Sequence, residues 1–175
     1  PTPTPVPTPL PGSTLLALSV KIPVLGIAPP ENLPRTKSRP VKIIVRTAAG
    51  DIEKNGAINF SESDGLFKTD PKRPVDLGTD VPINTPLDLV IKADFFTGFV
   101  NNVSLNQGPA INPAPPTPAL KVGLNDRGNP DAVSYYNALV SCFGTKSCSN
   151  KQAADLNDDG SVDGIDFNVF LQAIR

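Results

Sequence analysis

One twelve-residue stretch near the C-terminus has side chains whose types and spacing define a chemistry. In Asp155-Leu156-Asn157-Asp158-Asp159-Gly160-Ser161-Val162-Asp163-Gly164-Ile165-Asp166, oxygen-bearing side chains stand at loop positions 1, 3, 5, 9 and 12, with glycine at 6. A hard cation such as Ca²⁺ takes about six to eight oxygen ligands, and this spacing wraps a backbone around it with Gly160 at the sharp turn. Asp155, Asp159 and Asp166 are the expected direct carboxylates and Asn157 a neutral side-chain oxygen. Ser161 would contribute its backbone carbonyl, and Asp163 would ligate directly or through water. The loop contains no Lys or Arg, so its crowded carboxylates repel one another unless a cation neutralises them. The plainer alternative is an ordinary acidic turn.

Other chemistry is largely excluded. The chain has no histidine, which removes Ser-His and Cys-His nucleophiles and His-ligated zinc. Acid pairs such as Glu53 with Glu62 lack any flanking motif of a glycosidase, and no enzyme is expected. With 16 Lys+Arg against 17 Asp+Glu, no electrostatic field favours nucleic acid or an anionic membrane. The apolar runs are too short to span a bilayer. A start at Pro1 and the absence of methionine are expected of a processed product or an excised piece, with any signal peptide or anchor lost from view.

The loop departs from the EF-hand pattern at position 12, where Asp166 replaces the usual glutamate. A short acid there, followed by a helix with Phe167, Phe170, Leu171 and Ile174 on one face, resembles the loop-helix unit of a dockerin. The resemblance covers residues 121–175 and implies a second unit. Shifting by 32 residues lays 123–142 over 155–174, with Leu124, Asn125, Asp126, Gly128, Asp131 and Leu139 meeting identical residues. The first copy has Gly123, Arg127 and Ser134 at positions 1, 5 and 12, and Pro130 at position 8. It is therefore expected to be metal-free, Asn125 and Asp131 holding the loop's own backbone or Arg127, so that one calcium is expected and not two. The resemblance also implies a cohesin-type partner contacted at positions 10–11 and the adjoining helix. This chain carries Ala132-Val133 and Gly164-Ile165 there, not the family's hydroxyl pair, so packing on its own β domain or at another interface is the alternative. Cys142 and Cys148, six residues apart, are expected to form a local disulfide in an extracellular setting; a two-thiolate metal site and a free buried pair are the alternatives.

The rest of the chain must position this unit. Residues 1–13 are a Pro/Thr-rich tract, either an interdomain spacer with glycosylated threonines or a segment held against a neighbouring molecule. From residue 14 to 107 the period is two. Leu16, Leu18, Val20, Ile22 and Val24 alternate with smaller or polar residues, and Val41, Ile43 and Val45 face inward against Lys42 and Arg46. Further runs at 56–62, 66–68, 87–93 and 99–105, with turns at Asn55-Gly56, Asp64-Gly65, 70–74 and 82–86, predict a small antiparallel Ig-like β-sandwich. Phe95, Phe96 and Phe99 are placed around a Thr97-Gly98 turn, packing in the core or forming an exposed contact patch. Of Tyr135 and Tyr136, one is expected inside and one outside. Residues 108–120 are expected to form a Pro-rich hinge, leaving 121–175 as the dockerin-like calcium-binding domain.

Two functions follow as expectations. The first is a non-catalytic, calcium-stabilised extracellular module of a cell-surface or filamentous assembly, joined to copies of itself through the Pro/Thr segment or an edge of the β domain. The second is a dockerin-bearing adhesion or carbohydrate-binding component of a polysaccharide-processing complex. The lack of tryptophan, and the placement of both tyrosines outside the β domain, weigh against the second.

Overall fold

A computed structural model describes residues 11–22, 37–108, 110–122, 125, 127–129, 131–145, 148–149 and 154–173. The Pro/Thr tract 1–10, most of the 26–40 connection, Gly123, Leu124, Asp126, Pro130 and Ile174 lie outside them.

The fold is mainly β with a small α part. The long strands form where β-branched and apolar residues alternate: β3 (Ser38–Thr47), β4 (Gly50–Ser61), β7 (Pro86–Ala93) and β8 (Phe96–Ser104). Short strands complete the set: β1 (Leu15–Leu16), β2 (Ser19–Val20), β5 (Leu66–Lys68), β6 (Val75–Asp76), β9 (Ile111–Asn112) and β10 (Lys121–Val122). A seven-stranded antiparallel sheet runs β10-β8-β7-β3-β4-β5-β2, and a three-stranded sheet runs β6-β1-β9 with β1 and β9 parallel. Just beyond β2, Lys21 donates its N–H to the Pro118 carbonyl (3.0 Å) and accepts from the Leu120 N–H (2.8 Å). Because Leu120 immediately precedes β10, the two edges of the large sheet are stitched together.

The alternating residues fill one core. Leu16, Leu18, Val20, Ile43, Val45, Phe67, Leu89 and Ile91 are all buried in it. The same cluster continues through Leu120, Val122, Tyr135, Leu139, Cys142, Leu156, Val162 and Phe170, so the β and α parts share apolar packing. Among the described residues, the α part includes α1 (Ala132–Cys142) and α2 (Gly164–Ala173).

Several local expectations are corrected. The run beginning at residue 14 is not one strand. Its chain passes from the small sheet at β1 to the large sheet at β2, yet Leu16, Leu18, Val20 and Ile22 remain buried. Asn55-Gly56 is not a turn but lies in the middle of β4, and the β3–β4 hairpin turns at Ala48-Ala49. Gly56 is required by crowding: a Cβ there would stand 2.6 Å from Val75 Cγ2 of the other sheet. Thr97-Gly98 lies inside β8, and the chain reverses at Asp94-Phe95, where Asp94 takes φ 52°. The 108–120 segment, read as a hinge, supplies β9 to the small sheet and bonds to Lys21, just beyond β2, at its other end. β9 lies beside β1, and its Asn112 is buried with side-chain bonds to the Leu15 and Asn106 carbonyls.

Candidate metal centre

The 155–166 loop is built around its own carboxylates. Asp155 is buried, and its two oxygens accept the backbone N–H groups of Asp159 (3.0 Å) and Gly160 (2.7 Å). Asp166, fully buried, accepts Leu156 N–H (2.7 Å) and Asn157 N–H (3.1 Å) on one oxygen and Asp163 N–H (2.9 Å) on the other. Amides of the loop thus converge on its first and twelfth residues. Gly160, at φ 89°, makes the bend that aims its N–H at Asp155, a conformation costly for any residue with a Cβ.

The remaining positions have separate roles. Asn157 is buried; its Oδ1 accepts the Asp159 N–H (3.1 Å) and its Nδ2 donates to the Asp159 carboxylate (2.8 Å). The other Asp159 oxygen accepts Ser161 N–H (2.8 Å). Asp163 accepts Ile165 N–H (2.8 Å) at the first turn of α2, and Ser161 is exposed. Among the described residues, no three or more Asp, Glu, Cys or His side chains stand as a ready set of metal ligands. The donors are nonetheless all oxygen. An ionised carboxylate that accepts one or two N–H bonds keeps lone pairs free, so this chemistry fits a hard cation.

Burial makes the loop electrostatically costly. It is the main cause that raises the Asp155 carboxyl to about 6, aided by the Asp166 and Asp158 charges and opposed by the Gly160 and Asp159 amides. Burial likewise raises Asp166, with Asp159 adding to it and three amides opposing. Among the described residues, neither Asp155 nor Asp166 forms an ion pair with Lys or Arg.

The first loop is arranged differently. Asn125 Oδ1 accepts the N–H groups of Arg127 (2.9 Å) and Asn129 (3.0 Å), so its side chain is used to close its own turn. Asp131 caps α1 by accepting the Ser134 N–H (3.4 Å), which leaves Ser134 an exposed first-turn residue. The two units meet through the backbone where the Gly144 N–H donates to the Val162 carbonyl (3.0 Å). Cys142 and Cys148 are joined in a disulfide, with Cα atoms 5.5 Å apart, bracing the end of α1. Tyr135 is buried edge-on against Phe95 (4.5 Å), while Tyr136 is half exposed, near Phe167.

Sequence reasoning missed one element of the site. Arg39, on β3, lies buried between Asp94 and Asp158, the fourth loop residue. The only local signal was a surplus acid at position 4, a position with no ligand role in the spacing. Neither protein-family models nor characterised proteins match this chain.

Proposed function

We propose that this chain is a non-catalytic structural module of an extracellular or cell-surface assembly, stabilised by one Ca²⁺ held in the 155–166 loop. The observation that carries the proposal is the burial of Asp155 and Asp166 at the two ends of a loop whose amides converge on them, with no Lys or Arg partner for either among the described residues. Asp155, Asn157, Asp159, the Ser161 carbonyl, Asp163 and Asp166 are the ligand set. Bound calcium would supply the positive charge that the buried carboxylates lack. The first loop is assigned no metal, because Gly123, Arg127 and Ser134 replace the carboxylates at positions 1, 5 and 12.

The finer fold assignments belong to the same proposal. The two packed sheets are read as an Ig-like sandwich whose large sheet is closed at its edges, and 121–175 as a dockerin-like pair of loop-helix units. Edge closure by Lys21 disfavours strand addition between copies at the large sheet. Self-association is therefore assigned to the Pro/Thr segment. Among the described residues, no helix is long and apolar enough to cross a membrane.

The second reading, a docking or carbohydrate-binding component, has one observation in favour of its docking half. Val133, Tyr136 and Ile165 are exposed apolar residues on the helical pair, at and beside the positions where the resemblance places a cohesin-type partner. Its carbohydrate half has less support, since the exposed large aromatics among the described residues, Tyr136 and Phe143, lie outside the β-sheets.

Thermal unfolding of the full chain tests the calcium reading. Calcium at a hundredfold excess over Kd adds about 2.7 kcal/mol, which raises the Tm by about 5–10 °C relative to EDTA for a chain of this size. Asp166→Ala abolishes that rise. A Tm indifferent to calcium and EDTA sinks the proposal.

A further inference from the structure

The loop is attached to the β-sheet by a buried guanidinium. Arg39 Nη1 lies 2.5 Å from Asp94 Oδ2, and Nη2 lies 3.2 Å from Asp158 Oδ1. The side chains of Arg39, Asp94 and Asp158 are 2%, 10% and 4% exposed. The guanidinium carbon sits 5.8 Å from the centre of the Phe67 ring, and Nε has no hydrogen-bond partner among the described residues. A buried guanidinium is tolerated only while its carboxylates stay in place, and its rigid fork can span two of them from separate elements.

Both carboxylates sit at informative points. Asp158 occupies a loop position that the ligand spacing leaves free and takes a left-handed backbone, φ 59°. Its neighbours Asn157 and Asp159 are two of the proposed ligands, so fixing Asp158 fixes the corner that carries them. On the sheet side, Asp94 forms the β7–β8 turn, and the adjacent Phe95 packs on Tyr135 of α1. The same turn therefore grips both the loop and the first helix.

We infer that Arg39 is a positioning residue for the calcium loop, locking its non-ligand corner to the sheet so that loop and sheet order together. This rests on the calcium reading above. A simple charge effect has the opposite sign: a cation near a calcium site weakens binding, and its removal tightens it. Positioning predicts a loss on removal, on the scale seen for outer-shell partners of metal sites.

The test uses the full chain as wild type, Arg39→Met, Arg39→Lys and Asp158→Asn. Calorimetric calcium titration is combined with amide hydrogen exchange, with and without calcium. Wild type is expected to gain protection on calcium addition both in the 155–166 loop and around Ser38–Val41 and Asp94. Arg39→Met and Arg39→Lys are each expected to bind calcium about tenfold more weakly, Arg39→Lys despite its retained charge. Asp158→Asn keeps the Arg39–Asp94 pair as a safeguard for folding and is expected to confine the protection to the loop. Tighter binding by Arg39→Met, unchanged affinity in Arg39→Lys, or calcium protection limited to the loop in wild type overturns the positioning role while leaving the calcium reading intact. A wild-type chain with neither binding heat nor loop protection overturns both.

Discussion

Asn112 shows how much a single polar side chain can decide. Its amide group donates to the Leu15 and Asn106 carbonyls at 2.9 and 2.8 Å, and its Oδ1 accepts the Asn106 N–H at 2.7 Å. In a segment rich in proline, which lacks an N–H, these bonds tie the strand to its neighbours. Asn112→Leu strands buried polar groups on two partners and is expected to cost about 2–4 kcal/mol in denaturant unfolding. A loss below 0.5 kcal/mol, roughly the size of a neutral surface change, would contradict this role. At the same scale, Asp131 in the first loop matches the identity of its counterpart Asp163 and caps α1. Asp163 does the same before α2, accepting the Ile165 N–H, so both residue type and use carried over between the two copies.

Among the elements, β4 is the most instructive. Its sequence contains an Asn-Gly pair that ordinarily marks a hairpin, yet the strand runs through it in continuous register with β3, Lys42 opposite Asn55 and Val41 opposite Gly56. The glycine is there for the packing of β6 on β4. Gly56→Ala is accordingly expected to destabilise by about 1–3 kcal/mol through overpacking against Val75. On backbone grounds alone, glycine to alanine in a strand interior stabilises. Equal or greater stability of Gly56→Ala in urea unfolding would show that the sheets do not meet there. The helices are simpler: α1 begins at its Asp131 cap and ends beside the disulfide, and it buries Tyr135, Ala138, Leu139 and Cys142 on one face.

At the scale of the whole molecule, the β and α parts share one apolar cluster and the Arg39 clamp, and the segment between them pairs with β1 through β9 and with Lys21 at Ala119. With the large sheet's edges joined, the Pro/Thr tract is the route assigned to self-association. Deletion of residues 1–10 is expected to leave the Tm within about 1 °C, since the tract is mostly Pro and Thr with only Val6 and Leu10 apolar. The same deletion is expected to abolish concentration-dependent association in sedimentation velocity. Association that survives the deletion would move the contact elsewhere, first to the exposed helical face around Val133 and Tyr136.

The sequence alone determined whatever depends on short spacing. Period-two alternation marked the buried side chains of the long strands, because neighbouring Cβ atoms point to opposite faces whatever the topology. The bend and helix of the 155–166 loop were legible for the same reason: its oxygen-bearing side chains, glycine and following helix all lie within one short stretch. So was the cysteine pair, six residues apart. Tertiary structure alone decided the rest. Nothing local to β3 marks Arg39 as the partner of Asp158, since the two meet only once sheet and loop are packed. The proline-rich segment that supplied β9, and the Asn-Gly pair that became a strand interior, have the same origin. Local preferences at those places are worth about a kilocalorie per mole or less, and burial against a distant element outweighs them.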